Sequence, residues 1–370
     1  MKQRPTIEDV ARATSLSIST VSLVLNGKTN VSEETRRKVK QAIRSLGYHP
    51  LRSARGLASK ASGNIGFILS DDHFSQFEPF YTRIFLGSEF EARKHNYYLL
   101  LTTVPERFKK SATIPRFLLE ENADGVIIAG KINPRLIEYI DRLGLPIVIV
   151  DYELPGRTHS SVRIDNRSGA SKATLHLIEQ GRKAIAFIGG DPEHPSIAER
   201  FAGYKETLRS EGLVYDPLLV VTDEADTRIH NGLHAIERIV KRGGKPTGVV
   251  AANDAMAIGC MNYLKSVSLG VPRDVAVVGF DDIELSSHVE PALTTVRVFK
   301  EELGKVAIQC IVEMIRSKTQ NIVTVQLPVE LVARASTDSP HRKQPKHEEP
   351  LHHRSHVAQI AAQARDRGRN

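Results

Sequence analysis

Apolar residues recur at helical spacing over the first fifty positions and then give way to short apolar runs, a change that divides the chain. Ile7, Val10 and Ala11 mark one face of a first helix. Thr6 with Asp9 three residues on has the form of a capping box, and Leu16 falls where it would plug a tight turn. Ser17 is an N-cap candidate for a second helix with Val21, Val24 and Leu25 inward, which leaves Ile18, Ser19, Thr20, Ser22 and Leu23 on the open side. A third helix is expected from Ser32 to Gly47. Glu33 and Glu34 suit the positive end of its dipole, Val39, Ala42, Ile43 and Leu46 its inner face, and Arg36, Arg37, Lys38 and Lys40 its outside. Two short helices around a turn, closed by a third, have the shape of a helix-turn-helix, whose second helix offers its N-terminal residues to base edges in the major groove.

The next segment, Pro50 to Ala58, is too short for a stable isolated helix. It reads equally as a flexible linker or as a conditional helix that orders on DNA, with Leu57 as the one large apolar residue available to wedge a minor-groove base step. From Asn64 the pattern becomes β-rich. Apolar runs lie at Ile65–Leu69, Tyr98–Leu101, Val126–Ala129, Ile147–Val150, Ile185–Ile188, Val249–Ala251 and Val275–Val278, most of them separated by helical stretches, as a parallel sheet with crossover helices requires. IGFILSDDH from Ile65 echoes IAFIGGDPEH from Ile185, so the same unit opens two successive lobes. Two such lobes would face each other with the carboxyl ends of their strands around a shared cleft.

Charge sharpens the division. Residues 1–60 hold twelve Lys and Arg against four Asp and Glu, which equals the whole chain's net charge of +8, so the rest sums to zero. A basic head on a neutral body fits one module that neutralises phosphates. The N-terminus lacks the apolar stretch of a secretory signal, and no run approaches a membrane span, so a cytoplasmic protein with no membrane partner is expected. Cys260 and Cys310 fall within apolar helical patterns, away from any CxxC or Cys/His cluster.

Several separated motifs then carry a likeness. TIEDVA, STVSLVLNG, VSEETRRKV, LGYHP with ARGLA, NDAMAIG, VAVVGFDD and PALTTV together resemble the lactose-repressor/galactose-repressor (LacI/GalR) family, from about Thr6 to Thr337. The resemblance implies an α/β protein. A three-helix helix-turn-helix headpiece (1–49) is followed by a hinge helix and linker (50–62), then by a two-lobed, doubly wound core like that of periplasmic sugar-binding proteins (63–337). Lobe 1 is expected at about 63–161 and 293–320, and lobe 2 at about 162–292 and 321–337. It further implies a homodimeric transcription regulator, a repressor, that binds palindromic operator DNA under control of a small-molecule effector. Ile18, Ser19 and Leu23 stand where family members read bases, and Thr6, Thr20, Ser22, Asn26 and Thr35 match phosphate-contacting positions. Ala54, Leu57 and Ala58 match hinge positions at DNA, Leu57 being the lever at the central base step. Relatives often carry Arg or His at the position of Leu23. Leucine cannot make the bidentate contact of arginine with guanine, so readout is expected to lean on thymine methyls.

In the core the matching cleft positions are Ser70, Asp71, Phe80, Tyr81, Asp151, His194, Ser196, Arg200, Asn253 and Asp281. Acids outnumber bases in this set, which favours a neutral sugar over a phosphorylated or carboxylated effector. A purine or nucleoside effector is the alternative, since Thr227 falls near a position that often carries an aromatic and Val298 replaces a frequent Gln. Asn253 and Asp281 also have an ordinary reading, as caps of helices and loops.

No GxGxxG after a strand, GxxxxGK[ST], GxSxG or HExxH occurs, so neither an enzyme nor a cofactor is expected; His73 and His194 lack the spacing of a metal pair. A solute-binding receptor without DNA binding is the remaining rival, which the basic head disfavours. Asp338 to Asn370, with five His and seven Lys and Arg, reads as a disordered tail too short in heptads to tetramerise the chain.

Overall fold

A computed structural model of the protein describes residues 5–25, 31–48, 61–71, 80–105, 114–154, 159–317 and 321–337. The headpiece comprises α1 (Ile7–Thr14), α2 (Ile18–Leu25) and α3 (Glu33–Leu46). The capping box forms as its spacing predicts: the Thr6 hydroxyl accepts from the Asp9 amide, and the Asp9 carboxylate accepts from the Thr6 amide at 2.8 Å. Ser17 accepts from the Thr20 amide at 3.1 Å to start α2, and Gly47, at φ 62°, ends α3. Val10, Ala11, Val21, Val24 and Val39 form a small core that is separate from the rest of the molecule. Two expectations fail here. Leu46 is exposed, and Tyr48, just past the helix, fills the core in its place. Arg36 does not stand free; its stem is largely covered while Nε reaches Glu33 at 3.2 Å.

The body is built from two six-stranded sheets. β1 (Asn64–Ser70), α4 (Phe80–Lys94), β2 (Tyr98–Val104), α5 (Arg116–Leu119), β3 (Gly125–Ala129), α6 (Pro134–Arg142), β4 (Ile147–Val150) and β5 (Ser160–Ile164) begin lobe 1. Lobe 2 follows as α7 (Asn166–Glu179), β6 (Ile185–Gly190), α8 (Pro195–Ser210), β7 (Val220–Glu224), α9 (Ile229–Lys241), β8 (Gly248–Ala251), α10 (Asp254–Ser266), β9 (Ala276–Asp281) and β10 (Thr294–Arg297). The chain then returns to lobe 1 for α11 (Lys300–Ser317) and β11 (Thr324–Leu327), and ends in lobe 2 with β12 (Glu330–Val332). The strand orders are β11-β5-β4-β3-β1-β2 and β12-β10-β9-β8-β6-β7. β1 and β6 hold the same place in the two sheets, which accounts for the sequence echo between them. All pairings are parallel except β10 with β12. Buried on both faces, β1, β3, β4, β6 and β8 read as unbroken apolar runs.

The lobe boundaries differ from those expected. β5 pairs entirely with β4 and β11, so lobe 1 runs through Ile164 rather than stopping at 161. β10 pairs with β9, which moves residues 293–298 into lobe 2, and β11 pairs with β5, which moves residues 324–327 into lobe 1. The chain therefore crosses between lobes near Asp165, at Val298–Phe299 and at Pro328–Val329. Helix pairs in both lobes pack unusually close, the α7–α8 pair of lobe 2 among them, where a Cβ on Gly203 would meet the Arg167 carbonyl. A Cβ on Gly87 or Gly304 would overlap backbone of the facing helix in the α4–α11 pair, as would one on Gly232 or Gly259 in the α9–α10 pair.

Candidate ligand cleft and nucleic-acid interface

On the headpiece, Ile18 and Ser19 lie at the exposed first positions of α2, with Ile18, a large apolar residue, 48% accessible. Thr20, Ser22 and Leu23 are half-buried along the same helix. Thr6 and Thr35 sit in the first turns of α1 and α3, where amide groups point outward and favour an anion. Thr35 also accepts a hydrogen bond from the Ser32 hydroxyl at 2.9 Å. Asn26, Ala54, Leu57, Ala58 and the tail 338–370 lie outside the described residues.

The cleft forms where strand carboxyl ends of the two lobes meet. Asp151, directly after β4, is only 7% exposed, and its carboxylate takes hydrogen bonds from two directions: the Tyr81 hydroxyl of α4 at 3.1 Å and the Ser196 hydroxyl of α8, in the other lobe, at 3.5 Å. Burial drives its pKa up to about 7, against Arg200, which pulls it down, and with Asp281, which pushes it further up. Burial and the neighbouring Asp151 likewise raise the Tyr81 phenol well above its ordinary range.

Arg200 projects from α8 into the seam over the face of Phe280, 3.7 Å from guanidinium carbon to ring centroid. Its Nε donates to Asn166 at 2.8 Å, one Nη donates to the Ala252 carbonyl and the other reaches Asp281 at 3.4 Å. Asp281 ends β9 with φ 105°, and Asp282 follows at φ 52°. Asp151 is also left-handed, at φ 58°. Non-glycine residues hold such angles uncommonly, aspartate more readily than most, and these three mark sharp turns after β4 and β9. Burial raises the Asp281 pKa while Arg200 and Lys300 oppose the rise.

Tyr81, Asp151, Ser196, Arg200 and Asp281 thus converge. Phe80 stands edge-on to Tyr81, with ring centroids 5.1 Å apart. His194 opens α8 with its ring 6.0 Å from that of Tyr152, and Ser70 is buried at the end of β1, whereas Asp71 is exposed. Asn253 is occupied structurally: Oδ1 accepts from the Met256 amide at 2.9 Å as the N-cap of α10, and Nδ2 donates to the Thr227 carbonyl at 3.0 Å.

Three neighbours of the cleft escape sequence reasoning. Asn166 starts α7 at the first crossover and bridges Arg200 to Glu199. Asp254, fully buried beneath the cleft, accepts from the Thr295 hydroxyl and from the Ile283 amide at 2.8 Å. Lys300 opens α11 with its ammonium turned inward to the carbonyls of Asp281, Asp282 and Val298. Asn166 and Asp254 carry the ordinary mark of helix starts, and a lysine before two glutamates reads as surface. Among the described residues no group of three or more His, Cys, Asp and Glu is arranged to hold a metal, and no helix is long and apolar enough to cross a membrane.

Comparison with known proteins agrees with this geometry at both ends. Residues 6–51 match the bacterial regulatory proteins of the lacI family, and residues 174–337 match the periplasmic binding protein-like domain. Catabolite control protein A of Priestia megaterium is 34% identical over 90% of this chain and 99% of its own length. The HTH-type transcriptional repressor PurR of Aliivibrio salmonicida (strain LFI1238) is 30% identical over 90% of this chain and 98% of its own. Among solved structures, a complex of the transcriptional regulator CelR with cellobiose has a TM-score of 0.68 at 32% identity, covering 90% of this chain and all of that one. The lac repressor dimer bound to operator and the anti-inducer ONPF has a TM-score of 0.75 at 27% identity, covering 91% and all of that chain. With a matched headpiece, a matched core and relatives aligned almost end to end, the chain belongs to the lacI family of bacterial regulatory proteins, DNA-binding regulators of transcription with a ligand-binding core.

Proposed function

We propose that the protein is a homodimeric repressor whose affinity for a palindromic operator is set by a neutral, hydroxyl-rich effector, a sugar, held between the lobes. The observation that carries this reading is the donor and acceptor balance of the cleft. Both buried cations are already engaged: the three N–H bonds of Lys300 face three carbonyls, and Arg200 is shared among Asn166, Ala252 and Asp281. The carboxylates keep spare lone pairs, since each ionised Asp offers about four acceptor sites. Among the described residues such a cleft lacks a free counter-charge for an anion and suits hydroxyl donors. The cellobiose-bound relative supports the same chemistry.

The edge-on pair of Phe80 and Tyr81 favours a second reading, a flat purine stacked at the mouth, in line with the PurR relative. Exposed Leu86, Phe90 and Leu101 on lobe 1, and a groove of about 540 Å³ on lobe 2 lined by Ile258, Met261 and Val289, offer apolar surface for a second copy. In α2, Ile18, Ser19 and Leu23 would read bases, with Thr6, Thr20, Ser22 and Thr35 on phosphates.

A thermal-shift screen of cellobiose, ribose, glucose, hypoxanthine and guanine, repeated with palindromic DNA, tests the reading. Stabilisation by a sugar together with altered DNA retention supports it. A response to purines alone replaces the sugar with the second reading, and no response to any of them removes the sensor role.

A further inference from the structure

Lys300 is a lysine only 7% exposed, and its surroundings are not those of an ordinary ion pair. Among the described residues its hydrogen bonds go to backbone carbonyls: that of Asp281, with those of Asp282 and Val298 each at 3.4 Å. Two of these belong to the consecutive left-handed residues that end β9. A strained pair persists only when its surroundings hold it, and the other holds on this turn all come from lobe 2 or the crossover strand. Arg297 and Arg334 grip the Asp282 carboxylate at 2.7 and 2.6 Å, Thr295 accepts from the Asp282 amide and Asp254 from the Ile283 amide. Lys300 alone comes from α11, which packs on α4 and on the strands of lobe 1.

We propose that Lys300 is a positioning residue that ties the Asp281–Asp282 turn of lobe 2 to the first turn of α11 in lobe 1, so that the second crossover sets the aim of the Asp281 carboxylate. The inference rests on the reading of the cleft as an effector site only for its regulatory consequence. Asp281, Asp254, Asp282 and Glu301 lie close enough to act on the ammonium electrostatically, and the Phe80 ring lies 5.8 Å from it. Burial pulls the lysine's pKa below its ordinary value, and those carboxylates oppose the fall. With its N–H bonds directed at carbonyls, Lys300 acts through Asp281 rather than on a ligand.

The test uses the full chain. In the ligand-free protein Lys300→Met should speed hydrogen exchange of the Asp282 and Ile283 amides by about tenfold or more, while amides of α4 and the later turns of α11 keep their protection. Unchanged exchange at these two amides overturns the proposal. Should the variant not fold, acetic anhydride labelling of the unaltered chain decides: Lys300 must react about tenfold or more slowly than exposed Lys241, and equal rates overturn it.

A third readout separates positioning from packing. With whichever of cellobiose, ribose or hypoxanthine shifts operator affinity in the parent, that shift should shrink by about fivefold or more in Lys300→Met, and a full-sized shift counts against positioning. If none of the three moves the parent, the effector reading fails, and the exchange experiment still decides the tie.

Discussion

Around neutrality Asp151 sits between its two protonation states, because burial lifts its carboxyl from 3.8 to about 7. A raised pKa in the folded state means that the protonated form is the one folding favours. The associated stability is complete below pH 4 and is lost as pH climbs through 7. Asp151→Asn cannot ionise, so its advantage over the parent should grow from pH 5 to pH 8, reaching on the order of 4 kcal/mol. Thermal unfolding at the two pH values checks this, and parallel pH slopes would contradict it. Leu23 gives a second residue-level test. Leu23→Arg should move half-site preference towards guanine by about 1–3 kcal/mol per contact, measured by competitive binding of operator variants. At this scale Asp151, Ser196 and Arg200 were legible through the positions they share with the resembled family, one directly after a strand and two on the helix that follows β6. The sequence was silent for Lys300, because nothing local distinguishes a lysine that turns inward from one that faces water.

Elements were legible in proportion to how completely they are buried or capped. The headpiece helices carry their own start and stop chemistry in Thr6, Ser17, Ser32 and Gly47, and the fully buried strands announce themselves as apolar runs. β5 (SSVRI), β7 (VVTDE) and β10 (TTVR) do not, since hydroxyl and charged side chains interrupt them. Without β5 and β10 the sequence places the crossovers only approximately, so the expected bounds set β10 and β11 in the opposite lobes from those in which they pair. The close helix pairs follow from glycines whose role shows only once two backbones meet. Gly304→Ala and Gly259→Ala, each aimed at a facing carbonyl, should cost about 1–3 kcal/mol or more in urea unfolding. Gly144→Ala, by contrast, meets nothing within 4 Å, so any loss there comes from its φ of 69° alone.

For the molecule as a whole, the division between a basic head and a neutral body was plain in the charge count, and the relatives aligned along 90% of the chain bear out the assignment to a regulator family. The electrostatic part of operator binding should reside in the head. Affinity is therefore expected to fall roughly a thousandfold or more between about 50 and 200 mM monovalent salt, as it does when six to ten phosphates are neutralised. Fluorescence anisotropy against a labelled palindrome measures the slope, and a flat dependence would remove phosphate contact as the anchor.

The triple crossing also fixes the order in which a nascent chain can mature. Lobe 1 lacks α11, the helix that covers β3, β4 and β5, until residue 317 has left the ribosome, whereas the three headpiece helices close a core of their own within the first 48 residues. Polypeptides arrested before residue 300 should accordingly present a finished reading head on an unfinished sensor, with the three headpiece helices resistant to protease and the strands of lobe 1 sensitive. Responsiveness would be the last property this regulator acquires during synthesis.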